Sequence, residues 1–299
     1  MALSPCGVEM DASARETVHY SSTENFPIAC YRDDMQTFFV PWHWHEEFEC
    51  ILGWEGTVAV GVRGERILLH PGEGLFINSG VLHNVEIAEG HPSVLRSIVF
   101  HPRLIGGTVD SVFWQRLVSP LLQDQAVPYF KLTEAVPWQR KIMETVLICW
   151  QETVDETEDH ENYVRYQLSR AFRQLNAHLP ECSARRTRQD QSTAQRMKLL
   201  LQFIESHYTE DLTLAQIAAA ANLSNNACLR CFRQALNVSP IQYIRQLRVE
   251  KAAQLLLSTR RKVGDIALEC GFTDVSYFTR TFREQKGVSP REFRQRARR

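Results

Sequence analysis

The stretch Ile266-Ala267-Leu268-Glu269-Cys270-Gly271-Phe272-Thr273-Asp274-Val275-Ser276-Tyr277-Phe278-Thr279-Arg280-Thr281-Phe282-Arg283 decides how the chain is read. A short apolar segment ends at Gly271-Phe272-Thr273. Asp274, a good helix N-cap, then opens a second segment in which Phe278 and Phe282 recur at helical spacing. Fifty residues upstream the pattern occurs again: Arg230, Phe232, Arg233, Val238, Ser239 and Pro240 match Arg280, Phe282, Arg283, Val288, Ser289 and Pro290. Asn237 stands opposite Gly287, the two residue types that best accept the left-handed conformation ending a helix. Working outward, the pattern predicts helices over 214–218, 225–235, 241–257, 263–269 and 275–285, with Ser224 a second N-cap, and Ser239-Pro240 and Ser289-Pro290 opening helices of their own. A short helix, a tight turn and a second helix therefore occur twice, as two helix-turn-helix units.

Within each second helix the faces divide. Cys228 and Phe232, and Phe278 and Phe282, fall on the buried side. Asn225, Asn226, Leu229, Arg230 and Gln234, and Val275, Ser276, Thr279 and Arg280, fall outside. An α-helix fits the major groove of duplex DNA, where Arg pairs with guanine and Asn with adenine. For any one of these residues a phosphate contact is the commoner use. If both helices bind one face of a duplex, they sit about one helical turn apart, ~34 Å. The charge distribution agrees with an anionic partner for this part alone. Residues 1–190 hold 16 Lys and Arg against 26 Asp and Glu, a net −10, whereas residues 191–299 hold 18 against 9, a net +9.

Residues 195–297 resemble the DNA-binding domain of the AraC/XylS family of bacterial transcription regulators. The resemblance rests on Leu214-x-x-Ile217-Ala218, Ser224, Arg230-x-Phe232-Arg233, Ser239-Pro240-x-x-Tyr243, Arg248 with Ala252 and Leu255-Leu256, and on the quoted stretch continued through Gly287-x-Ser289-Pro290-x-x-Phe293-Arg294. It implies promoter DNA and RNA polymerase as partners, and a rigid helix over 241–257 linking the two units. The family often has Leu at the position of Cys228 and Gly at that of Asn237, departures that leave the fold intact.

The amino-terminal half reads differently. Short β-prone runs at 58–62, 66–69, 75–77 and 94–100 are punctuated by Arg63-Gly64-Glu65, Pro71-Gly72 and Ser79-Gly80, with no helical pattern between them. That spacing argues for an antiparallel barrel or sandwich. Helical periodicity returns at 137–153 and 163–179, with stripes Ile142/Val146/Cys149 and Leu168/Phe172/Leu175. The acidic run 152–161 joins them as a solvated loop. These stripes either pair with a second copy or pack on the barrel; the resemblance implies a dimer-forming segment. The polar stretch 180–193 reads as the interdomain linker.

Pro41-Trp42-His43-Trp44-His45-Glu46-Glu47-Phe48-Glu49 concentrates side chains able to bind a ligand. On one strand, His43 and His45 would share a face, with Phe48 and Cys50 opposite Glu49. The set His43-x-His45-x-x-x-Glu49, then Gly56 and the segment 74–83 ending in His83, resembles the cupin pattern. In metal-binding cupins, two His, a Glu and a third His hold one ion. His43, His45, Glu49 and His83 would suit iron, manganese, nickel or zinc. Two other readings stay open: a polar pocket for a small-molecule effector without metal, and a hydrogen-bonded structural cluster. Trp42, Trp44, Trp54 and Phe76 would stack on an effector, although core packing explains most buried aromatics.

Eight cysteines are scattered over both halves, and the one tight pair, Cys228-x-x-Cys231, lacks the second pair of a zinc site. No stretch approaches the length of a membrane span and no signal peptide opens the chain, so the expected compartment is the cytoplasm. The reading is an α+β multidomain chain. A cupin-like β-barrel over 17–135 binds an effector, a helical dimerisation segment spans 136–180, and an all-α domain with two helix-turn-helix units spans 194–297. The expected function is a ligand-responsive transcription regulator and homodimer, not an enzyme. It needs no cofactor unless the four-residue cluster holds a divalent metal. The alternative is a metal-dependent cupin enzyme with a helical appendage, for which a DNA-binding repeat has no use. A DNA-binding structural protein without effector would leave the histidine cluster unused.

Overall fold

The computed structural model describes residues 3–4, 10–11, 15–20, 25–35, 40–88, 92–124, 127–179 and 188–296. Cys6, Cys182 and residues 180–187 of the expected linker lie outside them. The chain divides into a β-rich unit running to Asp190 and a helical unit from Gln191.

The β-rich unit is built from two antiparallel sheets. One orders β1 (Ile28–Asp34), β8 (Val94–Phe100), β3 (Phe48–Glu55), β6 (Gly74–Ile77) and β9 (Tyr129–Leu132); the other orders β2 (Val40–His43), β7 (His83–Ile87), β4 (Val58–Val62) and β5 (Glu65–Leu69). The expected hairpin joins β4 to β5 through Arg63 and Gly64, both at positive φ (54° and 77°), as a two-residue primed turn requires. Strand alternation sorts the apolar residues into two cores. Ile51, Val60, Val62, Leu75, Ile77 and Val85 lie in one cluster with residues from both sheets. Phe48, Cys50, Leu52, Phe76, Ile98 and Phe100 lie in the other, on the opposite face of the first sheet, against helices.

Those helices are α3 (Pro137–Asp155) and α4 (His160–Ala177), with α1 (Arg103–Gly106), a π-helical turn Trp114–Val118 and α2 (Ser119–Asp124) beside them. The stripes Ile142/Val146/Cys149 and Leu168/Phe172/Leu175 are buried in the same cluster as the sheet residues. Of the two readings open for these stripes, packing on the barrel holds, since apolar surface already covered within the unit is not free for a second copy. Phe172 packs edge-on against Phe76 and Phe100, and the Trp150 indole donates to Tyr31 O at 3.0 Å, tying α3 to β1.

The helical unit comprises α5 (Arg188–His207), α6 (Leu214–Ala220), α7 (Asn225–Leu236), α8 (Pro240–Ser258), α9 (Val263–Glu269), α10 (Val275–Lys286) and α11 (Pro290–Arg296). Helix α5 begins inside the stretch read as a linker, so residues 188–193 are helical. The predicted caps form. Ser224 Oγ accepts from Ala227 N, Asp274 Oδ1 accepts from Tyr277 N at 2.7 Å, and Thr213 and Ser239 each make a reciprocal capping box. Asn237 (φ 56°) and Gly287 (φ 73°) terminate α7 and α10 in the left-handed region.

Helix α8 carries a buried face in both of its halves. Tyr243, Ile244 and Leu247 are buried in its first half, and Val249, Ala252, Ala253 and Leu256 in its second, the latter packed with Ile266, Phe272, Phe278 and Phe282. The Arg248 guanidinium, donating to Tyr208 O and Glu210 O (2.6 and 2.7 Å), anchors α8 to the turn between α5 and α6. The turn of the second unit, 270–274, is one residue longer than that of the first, 221–224. Gly271 occupies it at φ 83°, where a Cβ would lie 2.8 Å from Thr209 Cα and O. No helix among the described residues is long and apolar enough to cross a membrane.

Candidate ligand cluster and nucleic-acid interface

His43, His45, Glu49 and His83 converge: all are buried, and one ligand atom from each lies within 4.8 Å of every other. Both sheets contribute. Glu49 comes from β3 in the first; His43 ends β2 and His83 begins β7 in the second, directly opposite one another. The expected single strand through His43 and His45 is corrected. The chain leaves β2 at His43 and bends at Glu46-Glu47 before β3, so a corner rather than strand alternation brings His45 inward.

Hydrogen bonding fixes each ring the same way. Nδ1 of His43 faces Pro41 O at 2.8 Å, Nδ1 of His45 faces Glu47 O at 3.1 Å, and Nδ1 of His83 faces Val81 O at 2.9 Å. A carbonyl only accepts, so each Nδ1 carries the hydrogen and each Nε2 is left to point inward. His45 Nε2 and His83 Nε2 approach the same Glu49 Oε2 at 3.3 and 3.0 Å. Two unprotonated nitrogens aimed at one carboxylate oxygen repel it unless a cation, proton or metal, lies between.

The His45 and His83 rings differ in how readily they take a second proton. Burial works against charge on His45, but hydrogen bonding and charge from Glu49, with Glu16 and Glu47, overcome it and raise its pKa to about 9. Burial and the neighbouring His43 together push His83 down to about 4 despite its bond to Glu49. Burial pushes the Glu49 carboxyl up, and the two imidazoles outweigh this and hold it well below the usual carboxylate range.

Two acidic groups that the sequence reading did not single out complete the site. Glu16 is buried, with Oε2 3.3 Å from His43 Nε2, and Glu47 Oε1 accepts from the Tyr20 hydroxyl at 2.8 Å. Glu16 lies in a segment without strand or helix periodicity, so no sequence signal marked it.

The structure does not bring the aromatic candidates to the cluster. Trp42 follows strand alternation to the opposite face of its sheet from His43, where it covers Gly61 beside Asn84. Phe76 sits across from Cys50, in the core against α4. Trp54 is partly exposed; with Trp150 it sandwiches the Arg96 guanidinium, 3.6 and 4.4 Å from the two rings. It also lines a separate groove of about 340 Å³ with Leu52, Glu73, Arg140 and Met143. Trp44 is half-buried beneath the Arg15 guanidinium.

In the helical unit, Asn225, Asn226, Leu229, Arg230 and Gln234 on α7 are exposed, as are Val275, Ser276 and Arg280 on α10. Thr279 is half-buried and its hydroxyl donates to Val275 O at 2.8 Å, which leaves it only as an acceptor. Each cap engages the third residue of its helix and leaves the first two amides without helical acceptors, a ready site for phosphate. Tyr277 and Arg245 were missed by the sequence reading. Tyr277 is exposed on α10 with the guanidinium of Arg280 at 5.5 Å and that of Arg245, from α8, at 5.9 Å from its ring. Cys228 and Cys231 are buried free thiols, so the pair is core packing.

Two family models match, an AraC-like ligand binding domain at residues 25–128 and a helix-turn-helix domain at residues 217–296. An uncharacterized HTH-type transcriptional regulator, YdeC of Bacillus subtilis, is 28% identical over 95% of this chain and 97% of its own length. The transcriptional activator RhaR of Yersinia pseudotuberculosis is 24% identical over 94% and 93%. Among solved structures, ToxT from Vibrio cholerae superposes with a TM-score of 0.50 at 12% identity, over 91% of this chain and 99% of that one, a likeness of fold. These relatives are transcription regulators rather than enzymes. The chain belongs to the AraC/XylS family of transcription regulators, with an amino-terminal ligand-binding domain and a carboxy-terminal helix-turn-helix DNA-binding domain.

Proposed function

We propose that this regulator receives its signal at the cluster of His43, His45, Glu49 and His83, as a divalent transition-metal ion bound alone or as the anchor of a small polar effector. The observation that carries this reading is the common orientation of the three rings. Every Nδ1 is tied to a backbone carbonyl, so three Nε2 atoms and a carboxylate face one point. That is how metal-binding imidazoles are held, with the second nitrogen fixing tautomer and direction. The donor set, three imidazoles and one carboxylate with no thiolate, suits iron, manganese, nickel or zinc. A bound ion would supply the positive charge that Glu49 and the inward nitrogens require.

On the output side, α7 and α10 enter successive stretches of major groove. Arg230 and Arg280 carry the base or phosphate contacts, with Asn225, Asn226, Gln234 and Ser276 beside them. Tyr277, flanked by Arg245 and Arg280, packs against the duplex backbone. Occupancy of the cluster alters DNA affinity only insofar as the ion binds one arrangement of the protein better than another. The site of action is promoter DNA in the cytoplasm, with activation through RNA polymerase as the direction of control. A homodimer would use outward residues of α3 and α4, where Ile148, Tyr163 and Tyr166 are exposed, rather than the buried stripes.

The test is elemental analysis of the purified full chain together with retardation of its promoter fragment over a salt series. The reading expects one transition-metal ion per chain and affinity that falls steeply with salt. No ion retained under any loading condition would remove the metal; salt-independent or absent retardation would remove the DNA interface.

A further inference from the structure

The groove beside Trp54 lies on the other side of the first sheet from the histidine cluster. Glu49 and Leu52 are three residues apart on β3 and so face opposite ways; Leu52 packs with Phe48 and Cys50 on the face that the helices cover. The groove is formed by the end of β3, the turn before β6 and the first half of α3. Its volume of about 340 Å³ falls within the ~300–1,000 Å³ of small-molecule pockets. Leu52 and Met143 form an apolar floor, with the half-buried Leu147 and the Trp54 indole beside them. The Arg96 guanidinium, held in turn against Trp150, covers one face of that indole and takes no part in the lining, so Trp54 turns its uncovered part to the groove. An indole fixed in this way loses little freedom when a ligand packs on it.

The charges around the floor do not balance. Glu73 is committed, with Oε1 2.9 Å from Lys131 Nζ and Oε2 accepting from His70 N at 3.0 Å. Glu134, Arg140 and Glu144 are exposed and form no ion pair among the described residues, although Arg140 and Glu144 stand one turn apart on α3. Two carboxylates therefore meet one guanidinium, an excess of one negative charge. Gly72 leaves the Glu134 carboxylate its place, since a Cβ there would stand 2.9 Å from Glu134 Oε1.

We propose that this groove is a second ligand site, for a small amphipathic amine whose cationic head rests on Glu134 and Glu144 and whose apolar or aromatic body lies along Leu52, Met143, Leu147 and Trp54. A single positive charge restores the balance of the rim, and the body covers apolar floor. An amphipathic acid fits worse, because its one partner, Arg140, shares the rim with two carboxylates that repel it. The groove has no residue in common with His43, His45, Glu49 and His83, so the site does not depend on whether they hold a metal.

Calorimetric titration of the full chain, in the presence of chelator, with phenethylamine and hexylamine and with the matching acids hydrocinnamate and hexanoate tests this. The expected result is one amine per chain with a Kd below about 1 mM, acids about tenfold weaker or more, and about a tenfold loss of amine affinity in Glu134→Gln/Glu144→Gln at an unchanged Tm. Arg140→Gln should keep or tighten amine binding. Absence of saturable amine binding overturns the site. Acids that bind as tightly as the amines overturn the ligand class, and amine affinity unchanged in Glu134→Gln/Glu144→Gln overturns the groove as the place of binding.

Discussion

His83 Nε2 lies 3.0 Å from Glu49 Oε2 while the Nδ1 of the same ring faces Val81 O at 2.9 Å. The second contact uses the hydrogen that the first would need from a neutral imidazole. At His45 a second proton on the ring resolves the same conflict, and a bound metal would take that proton's place. Replacing Glu49 removes the carboxylate shared by the His45 and His83 rings. Glu49→Gln should lower divalent-metal affinity about 100-fold or more, on the scale of lost metal-site partners, as read by chelator competition; affinity within twofold of wild type would contradict the assignment.

Ion binding should release protons. His45, held charged to about pH 9, must give up its Nε2 proton to a metal. Near pH 7.5, calorimetry in two buffers of different ionisation enthalpy should report about one proton released per ion, and affinity should rise as pH rises toward 9. In the ion-free chain the sign is the ordinary one for a raised histidine. The stabilisation from charged His45 is complete below its unfolded pKa of about 6.5 and is lost as pH climbs through about 9.

Arg230 and Arg280 stand out from α7 and α10, and the Arg280 side chain is 70% exposed, with Glu284 4.0 Å away. Arg230→Ala and Arg280→Ala should each weaken specific promoter binding by about 1–3 kcal/mol. A parallel weakening on all sequences, with a smaller salt slope, identifies a phosphate contact; loss confined to the specific site identifies base reading. Tyr277→Ala tests the residue that sequence alone did not mark.

Gly271 holds φ 83° against Thr209, so Gly271→Ala meets both a left-handed backbone and a 2.8 Å clash. A loss of roughly 2–3 kcal/mol in unfolding free energy is expected. Phe282, fully buried against Phe278 and Phe293, should cost about 3–5 kcal/mol on truncation to Ala. Both are read by denaturant melts of the full chain.

The helical unit was legible because its signals are local. Ser224 and Asp274 cap the helices they precede, Asn237 and Gly287 end them, and Phe278 and Phe282 mark the buried face at one-turn spacing. The β-rich unit was legible only in part. Strand β1 reads Ile-Ala-Cys-Tyr-Arg-Asp-Asp and is buried at nearly every position, so it shows no alternation to find. The histidine cluster was named correctly as a set, although His45 arrives by a corner that residue spacing does not encode. Trp42, Trp54 and Phe76 lie away from the cluster for a reason the sequence does contain. Each falls on the strand face opposite the cluster, one step out of phase with His43 or Glu49. Glu16 was beyond reach, because a contact from an aperiodic segment to a distant corner leaves no pattern in the chain.

The most direct test of a regulator that listens at the cluster and acts through α7 and α10 is retardation of its own promoter fragment by the wild-type chain, with the loading ion and with chelator. Ion occupancy should change the apparent Kd by about 5-fold to 150-fold, the range of ordinary coupling energies. Equal affinity in both conditions, with the ion shown to be bound in the first, would contradict it.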